Sequence, residues 1–322
     1  KVTGVQTCAL PISGLSFGIH VGPQETTIDE LRRLWRFADD HGFDWLSVWD
    51  HFYARTSDLI PHYEAVALLA AIACETRRLH FGCMVFAVQF RNLGLLAKSI
   101  VTIDHLSGGR LEIGLGAGWH EPEYRAFGYP FLSTKERLDQ LEEGIQALRR
   151  LLTEDAVDFH GQYVHLEGAR IFPKPLQQSL PLWVGGAGER RTAHIAARHA
   201  DGWNIPYISP DDYRRKRAAL ERWCKVEGRD PATVRDAVQV GFYMAPRDDQ
   251  RAIASARERL AQQVGPQALE QPGYLIGGPG AVAEQLAAYR EAGARSLNLA
   301  IRPPVDWQAL EVFVDQVMPQ FR

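Results

Sequence analysis

The sequence predicts an α/β fold, a (β/α)8 barrel with insertions. Three observations carry that expectation. Short apolar runs alternate with segments of helical period along the 322 residues, and eight such runs occur. The runs are apolar throughout rather than alternating, as strands of a parallel sheet covered by helices are. No linker divides the chain, and eight β-α units close naturally into a barrel, whereas an open doubly wound sheet gives no reason for that number.

The first strand is "LSFGIHV", ended by Gly22-Pro23. "TTIDELRRLWRFADDHG" then places Ile28, Leu31, Leu34, Trp35 and Ala38 on one helical face, with Thr26 or Thr27 as cap and Gly42 as stop. "FDWLSVW" is the second strand and "HYEAVALLAAIACET" the second helix. "RLHFGCMVF" is the third strand, followed by the helix "NLGLLAKSIVTIDHLSGG" with glycines at its end. "RLEIGLG" is the fourth strand, and "TKERLDQLEEGIQALRRLLT" a long helix. "VDFHGQYVHLEGA" breaks the rhythm and reads as an inserted hairpin around His160-Gly161. "PLWVGG", "DGWNIP", "AVQVGFYMA" and "ARSLNLAI" are strands five to eight, each followed by helical periodicity. The stretch "VGPQALEQPGYLIGGPG" between the last two is expected to shape a pocket.

Composition narrows the function. At 46% hydrophobic and 23% charged the chain can bury a substantial core. A net charge of −3 with no basic stripe argues against nucleic acid as a partner. The apolar stretches are too short to span a bilayer, so no membrane is expected. Cys8, Cys74, Cys83 and Cys224 are scattered and form no C-x-x-C pair, which fits free thiols and a cytoplasmic location. Residues 1–13, "KVTGVQTCALPIS", begin without Met, show no period and lack a signal-peptide layout. They are expected to be a non-native or disordered extension, with 14–322 forming a single domain.

Barrel enzymes build their sites from the loops that follow the strands. After strand two come Asp50, His51 and Arg55; after strand three, Phe86, Ala87, Gln89, Arg91 and Asn92; after strand eight, Arg302. His51 sits beside a carboxylate at an apolar rim, a setting for a tuned proton donor or acceptor. After strand four, "GLGAGWHEPEY" is not a dinucleotide fingerprint, because Trp119 stands at the third glycine position of G-x-G-x-x-G. Its glycines suit either a flat cofactor ring lying against backbone or a tight turn. His120, Glu121 and Glu123 lack the spacing of a metal site, so no metal is expected, and acids at a helix start are favoured by the dipole. "GGAGERR", Gly185 to Arg191, opens a helix with free N–H groups and reads as a phosphate cradle. "RRKR", Arg214 to Arg217, reads as a solvated face balanced by Asp211 and Asp212.

"VWDHF", "DHLSGGRLEIGLGAGWHEPEYRAFG", "LWVGGAGER" and "ARHADGWN" together resemble the bacterial luciferase-like monooxygenase superfamily, and within it the LLM-class F420-dependent oxidoreductases. The resemblance runs from about Leu15 to the end. It implies a TIM barrel with insertions, usually a homodimer, with coenzyme F420 in the barrel mouth and its phosphate tail in a glycine loop. It implies that Asp50 helps bind the cofactor and that His51 faces the reacting carbon, assisted by Glu121 or His120 where either points into the mouth. Ala87, Ala117, Gly118 and Trp119 fall at ring-binding positions, and Gly186, Gly188, Glu189 and Arg190 at the tail loop. A non-proline cis bulge is expected near Met84-Val85. Sugar-phosphate dehydrogenases of this family carry a Glu where this chain has Trp119, and an aromatic where it has Arg55. The departure points away from sugar phosphates and towards larger hydrophobic or aromatic small molecules.

The implied reaction is hydride transfer between F420 and a carbonyl, imine or activated alkene. One alternative is an FMN-dependent monooxygenase using O2, with reduced flavin supplied by a partner reductase. FMN lacks the glutamate tail, and Arg190, Arg191 and Lys174 lean towards the longer cofactor. A second alternative is a barrel that binds flavin or deazaflavin without turnover. A reductase for the flavin or for F420 is the protein partner these chemistries would use.

Overall fold

The computed structural model describes residues 14–54 and 59–322. The expectations for residues 1–13 and for Arg55 lie outside the described residues. In chain order the strands are β1 (Ser16–Val21), β2 (Trp45–Val48), β3 (His80–Ala87), β4 (Leu111–Gly116), β5 (Val157–His160), β6 (His165–Ala169), β7 (Leu182–Gly185), β8 (Gly202–Pro206), β9 (Arg235–Met244), β10 (Tyr274–Gly277) and β11 (Ser296–Ile301). Parallel pairing runs β9-β11-β1-β2-β3-β4-β7-β8, and β8 pairs back to β9, which closes an eight-stranded ring. This is the (β/α)8 barrel the sequence predicts.

The helices form where period and caps coincide. In α1 (Ile28–Asp40) the buried residues are Leu31, Leu34, Trp35 and Ala38, and Thr27 is the cap, its hydroxyl accepting from the Glu30 N–H. After α2 (Ala65–Glu75), α3 (Leu93–Ser107) starts on Asn92 and stops at Gly108, whose φ of 68° is left-handed. A short α4 (Glu121–Ala126) precedes α5 (Thr134–Thr153), which opens with a capping box between Ser133 and Glu136. The remaining helices are α6 (Arg191–His199), α7 (Pro210–Val226), α8 (Gln250–Gln263), α9 (Pro279–Glu291) and α10 (Trp307–Val312).

The inserted hairpin is present as antiparallel β5 and β6. Glu143 of α5 holds its turn by accepting from the N–H groups of Gln162, Tyr163 and Val164. One strand was not foreseen. Gly241 of β9 faces both Tyr274 of β10 and Ala300 of β11, so β10 takes the edge that β8 leaves at Gln239. Its four residues, Tyr274 to Gly277, directly follow Gly273 and end on a glycine, too short a run to stand out from loop.

Large side chains plug the lower barrel. Trp45 and Trp183 lie 6.4 Å apart and pack with Met84 and Ala237. A Cβ on Gly202 would fall 2.3 Å from the Trp183 ring, so glycine there makes room for the indole. Glu112, near the start of β4, accepts from Trp183 Nε1 at 2.6 Å and from Arg235 at 2.7 and 3.1 Å, with His80 Nδ1 at 3.3 Å. Burial alone would raise this carboxyl, but its donors and cations hold it down to about 2. The cavity described below opens at the other end, where the strands finish.

The run Arg214 to Arg217 is only partly a solvated face. Arg215 does reach Asp212. Lys216, however, is buried and donates to the Ala187 carbonyl, and Arg217 turns in to Asp236. Four consecutive helical residues sweep around the whole axis, so some of them must face the barrel.

Candidate active site

A cavity of about 490 Å³ opens where the strands end. Asp50 and His51 enter it directly after β2. The buried Asp50 carboxylate accepts two hydrogen bonds from Arg91, at 2.6 and 2.8 Å. Burial pushes the Asp50 carboxyl up, and Arg91 pulls it back. Burial would lower Arg91, but Asp50 and Glu64 hold its guanidinium above the ordinary range, so Asp50 always faces a cation.

His51 lines the cavity with Nδ1 2.8 Å from Glu123 Oε2. The other oxygen of Glu123 accepts from the N–H groups of Phe52 at 2.7 Å and Tyr53 at 3.1 Å. Burial would raise the Glu123 carboxyl; His51 and these N–H groups keep it below the ordinary carboxylate range. An ionised carboxylate only accepts, so His51 carries a proton on Nδ1 and leaves Nε2 for a ligand. A histidine oriented in this way can give or take a proton at a bound substrate.

Glu121 does not point into the mouth. It pairs with Arg125 on the exposed side of α4, at 2.6 Å. Residues two apart on a helix point to nearly opposite faces, so the inward carboxylate is Glu123. Sequence reasoning quoted Glu123 but did not select it; the helix start and the i, i+2 spacing were the available signal. His120, at the start of α4, lines the cavity with its ring 6.1 Å from His51. Trp119 lies 5.6 Å from His51, ring edge to ring face, and is 58% exposed at the rim. His62, also unforeseen, lies 6.5 Å from His51; burial first, and then the neighbouring His51, hold it down to about 4.

The Met84-Val85 bond is cis, and the β3–β4 ladder shifts register between Cys83 and Phe86. Val85 therefore projects among Gly114, Gly116 and Gly185. A Cβ on Gly116 would fall 2.4 Å from Val85 Cγ2, and one on Gly114 2.7 Å from the Cys83 carbonyl oxygen. The glycines of strand four thus make room for a neighbouring strand's bulge, a reason that neither sequence alternative contained. Val85, Ala87, Ala117 and Gly118 all line the cavity.

The β7 loop divides. Gly186 lines the cavity with Thr192, whereas Gly188, Glu189 and Arg190 do not. Glu189 is drawn away by Arg215 at 2.8 Å and Lys216 at 3.5 Å. Arg191 is tied to Asp139 and Glu142, and Lys174 donates to the carbonyls of Leu151 and Glu154. Two of the three cations expected to favour a long anionic tail are therefore engaged elsewhere, while Arg190 stays exposed.

On the far wall, Asn204 Oδ1 and Gln239 Nε2 are buried without a hydrogen-bond partner among the described residues. Both residues line the cavity, an unmet acceptor on β8 and an unmet donor on β9. Among the described residues, no group of three or more His, Cys, Asp or Glu is placed to hold a metal ion, and no helix is long and apolar enough to cross a membrane.

A barrel with a bulged third strand, a glycine-walled mouth and a rim histidine defines a class of cofactor-using oxidoreductase, and the profile of that class matches: the chain belongs to the luciferase-like monooxygenase family, over residues 14–272. Its relatives include an F420-dependent glucose-6-phosphate dehydrogenase from Intrasporangium calvum, 28% identical over 330 aligned positions covering 94% of this chain and 96% of that protein. They also include an FMNH(2)-dependent dimethylsulfone monooxygenase from Pseudomonas putida, 27% identical over 265 positions, 80% of this chain and 69% of that protein. Among solved structures, the coenzyme F420 dependent tetrahydromethanopterin reductase from Methanopyrus kandleri superposes with a TM-score of 0.80 at 20% identity, covering 96% of this chain and all of that one.

Proposed function

We propose that this protein is an F420-dependent oxidoreductase acting on a small organic substrate, a carbonyl, imine or activated alkene. The observation that carries the reading is the His51–Glu123 pair, which opens onto the cavity beside the β3 bulge. The cavity fits a deazaflavin or flavin ring. Both rings have one edge of carbonyl acceptors and an N–H donor, and Asn204 Oδ1 and Gln239 Nε2 are unmet groups of the complementary kind. Val85, Ala87 and the Ala117-Gly118 backbone supply an apolar wall for the ring face, with Asp50 beside it and Gly186 with Thr192 near the tail. When bound, F420 supplies or accepts the hydride, through C5 of its ring. The chain's share is to bind and orient the substrate, to exclude water under Trp119, and to move a proton at His51 Nε2 while Glu123 holds Nδ1.

F420 is favoured over FMN by coverage: the F420-dependent relative aligns end to end, the FMNH(2)-dependent one over 69% of its length. The engagement of Arg191 and Lys174 favours the second reading, an FMN-dependent monooxygenase, because it removes two cations from the tail argument. Equilibrium binding of the purified chain to F420 and to FMN separates the two. Tight F420 binding with weak FMN binding is expected; the reverse order would overturn the reading in favour of the monooxygenase.

A further inference from the structure

Among the described residues, both carboxylates that line the cavity have a partner of their own, Asp50 the Arg91 guanidinium and Glu123 the His51 ring. Arg302 differs. It follows β11, lines the same cavity, and has no carboxylate within ion-pair distance among the described residues. Its guanidinium lies 5.6 Å from the centroid of the Trp49 ring, which orients the planar group without neutralising it. A cation that lines the cavity without an acidic partner is matched when a ligand brings a negative charge to it.

We propose that Arg302 anchors a carboxylate carried by the substrate. The proposal deepens the oxidoreductase reading and rests on it: the substrate class becomes oxo or unsaturated acids, anchored at Arg302 with the reacting carbon near His51. The order of strands separates this subsite from the cofactor's tail. β11, β1 and β2 are consecutive, so Arg302, His20 and His51 share one wall. Gly186 and Thr192, beyond β7, are set apart from β11 by β8 and β9. The charge suits a monoanion rather than a phosphate dianion. Arg302 brings one positive charge, and His20 brings none, because burial and then Arg302 hold it down to about 3. Arginine's planar fork matches a carboxylate through two parallel hydrogen bonds.

The test is calorimetric titration of the full chain with phenylglyoxylate, 3-benzoylpropionate and 4-benzoylbutyrate, and with the methyl ester of each, with and without F420. At least one acid is expected to bind tenfold or more tightly than its ester. Arg302→Met and Arg302→Gln should both lose that preference while F420 affinity stays within twofold. Three results would each overturn the proposal: equal binding of every acid and its ester, a preference that survives both substitutions, or a tenfold loss of F420 affinity in the variants, which would assign Arg302 to the cofactor. Failure of the unaltered chain to bind F420 sinks the F420 reading separately, since the acid and ester comparison is also read without cofactor.

Discussion

Glu121 and Glu123 are two residues apart and have opposite fates, one on solvent with Arg125 and one fully buried against His51. Replacing His51 with Ala is expected to lower turnover by about a hundredfold or more, with cofactor affinity retained, as measured by steady-state kinetics and binding titration. Glu123→Gln keeps the size and removes the charge that orients His51. It should lower kcat by about tenfold or more and change the shape of the pH–rate profile. Glu121→Gln should do neither, because its partner is an exposed arginine in a surface pair. At this scale the sequence revealed which residue types gather at the rim. It did not reveal which carboxylate meets His51, because that pairing joins positions 72 residues apart.

Elements follow local rules, and most were legible for that reason. Thr27, Asn92 and Ser133 cap their helices through side-chain oxygens, as their types and positions suggest. Ser133→Ala should cost about 1 kcal/mol in urea denaturation, through loss of the α5 capping box. The β3 bulge is different, since its space is made by another strand. Gly114→Ala would drive a Cβ to 2.7 Å from the Cys83 carbonyl oxygen, backbone that cannot rotate away. A loss of about 1–3 kcal/mol is expected in the same measurement, together with weaker cofactor binding as Val85 shifts. The strand β10 is not legible in the sequence because four residues that end on Gly277 carry no period; the open edge of β9 makes them a strand.

For the molecule as a whole, Glu112 ties the starts of β3, β4, β7 and β9 together. Its carboxyl is held at about 2, below the unfolded value of about 4.5, so the unfolded chain binds the proton more readily. The resulting stability, on the order of 3 kcal/mol, is present above about pH 4.5 and is lost as pH falls towards 2. Urea unfolding followed from pH 6 to pH 3 should show a falling midpoint. Glu112→Gln should be less stable at pH 6 and should flatten that fall; an unchanged slope would remove Glu112 as a source of acid sensitivity.

By itself the sequence determined the barrel, its helices, the inserted hairpin and the rim on which polar residues collect. Each of these follows from periodicity, capping and the rule that parallel strands end at a functional face, and all are short-range or topological. Only the tertiary structure decided that Glu123 rather than Glu121 serves His51, that Arg191 and Lys174 are engaged away from the cavity, that strand-four glycines accommodate Val85, and that Arg302 stands without a carboxylate partner among the described residues. Those outcomes depend on which charges and which Cβ positions meet across the closed ring. That is a matter of distance between elements, and no local pattern encodes it.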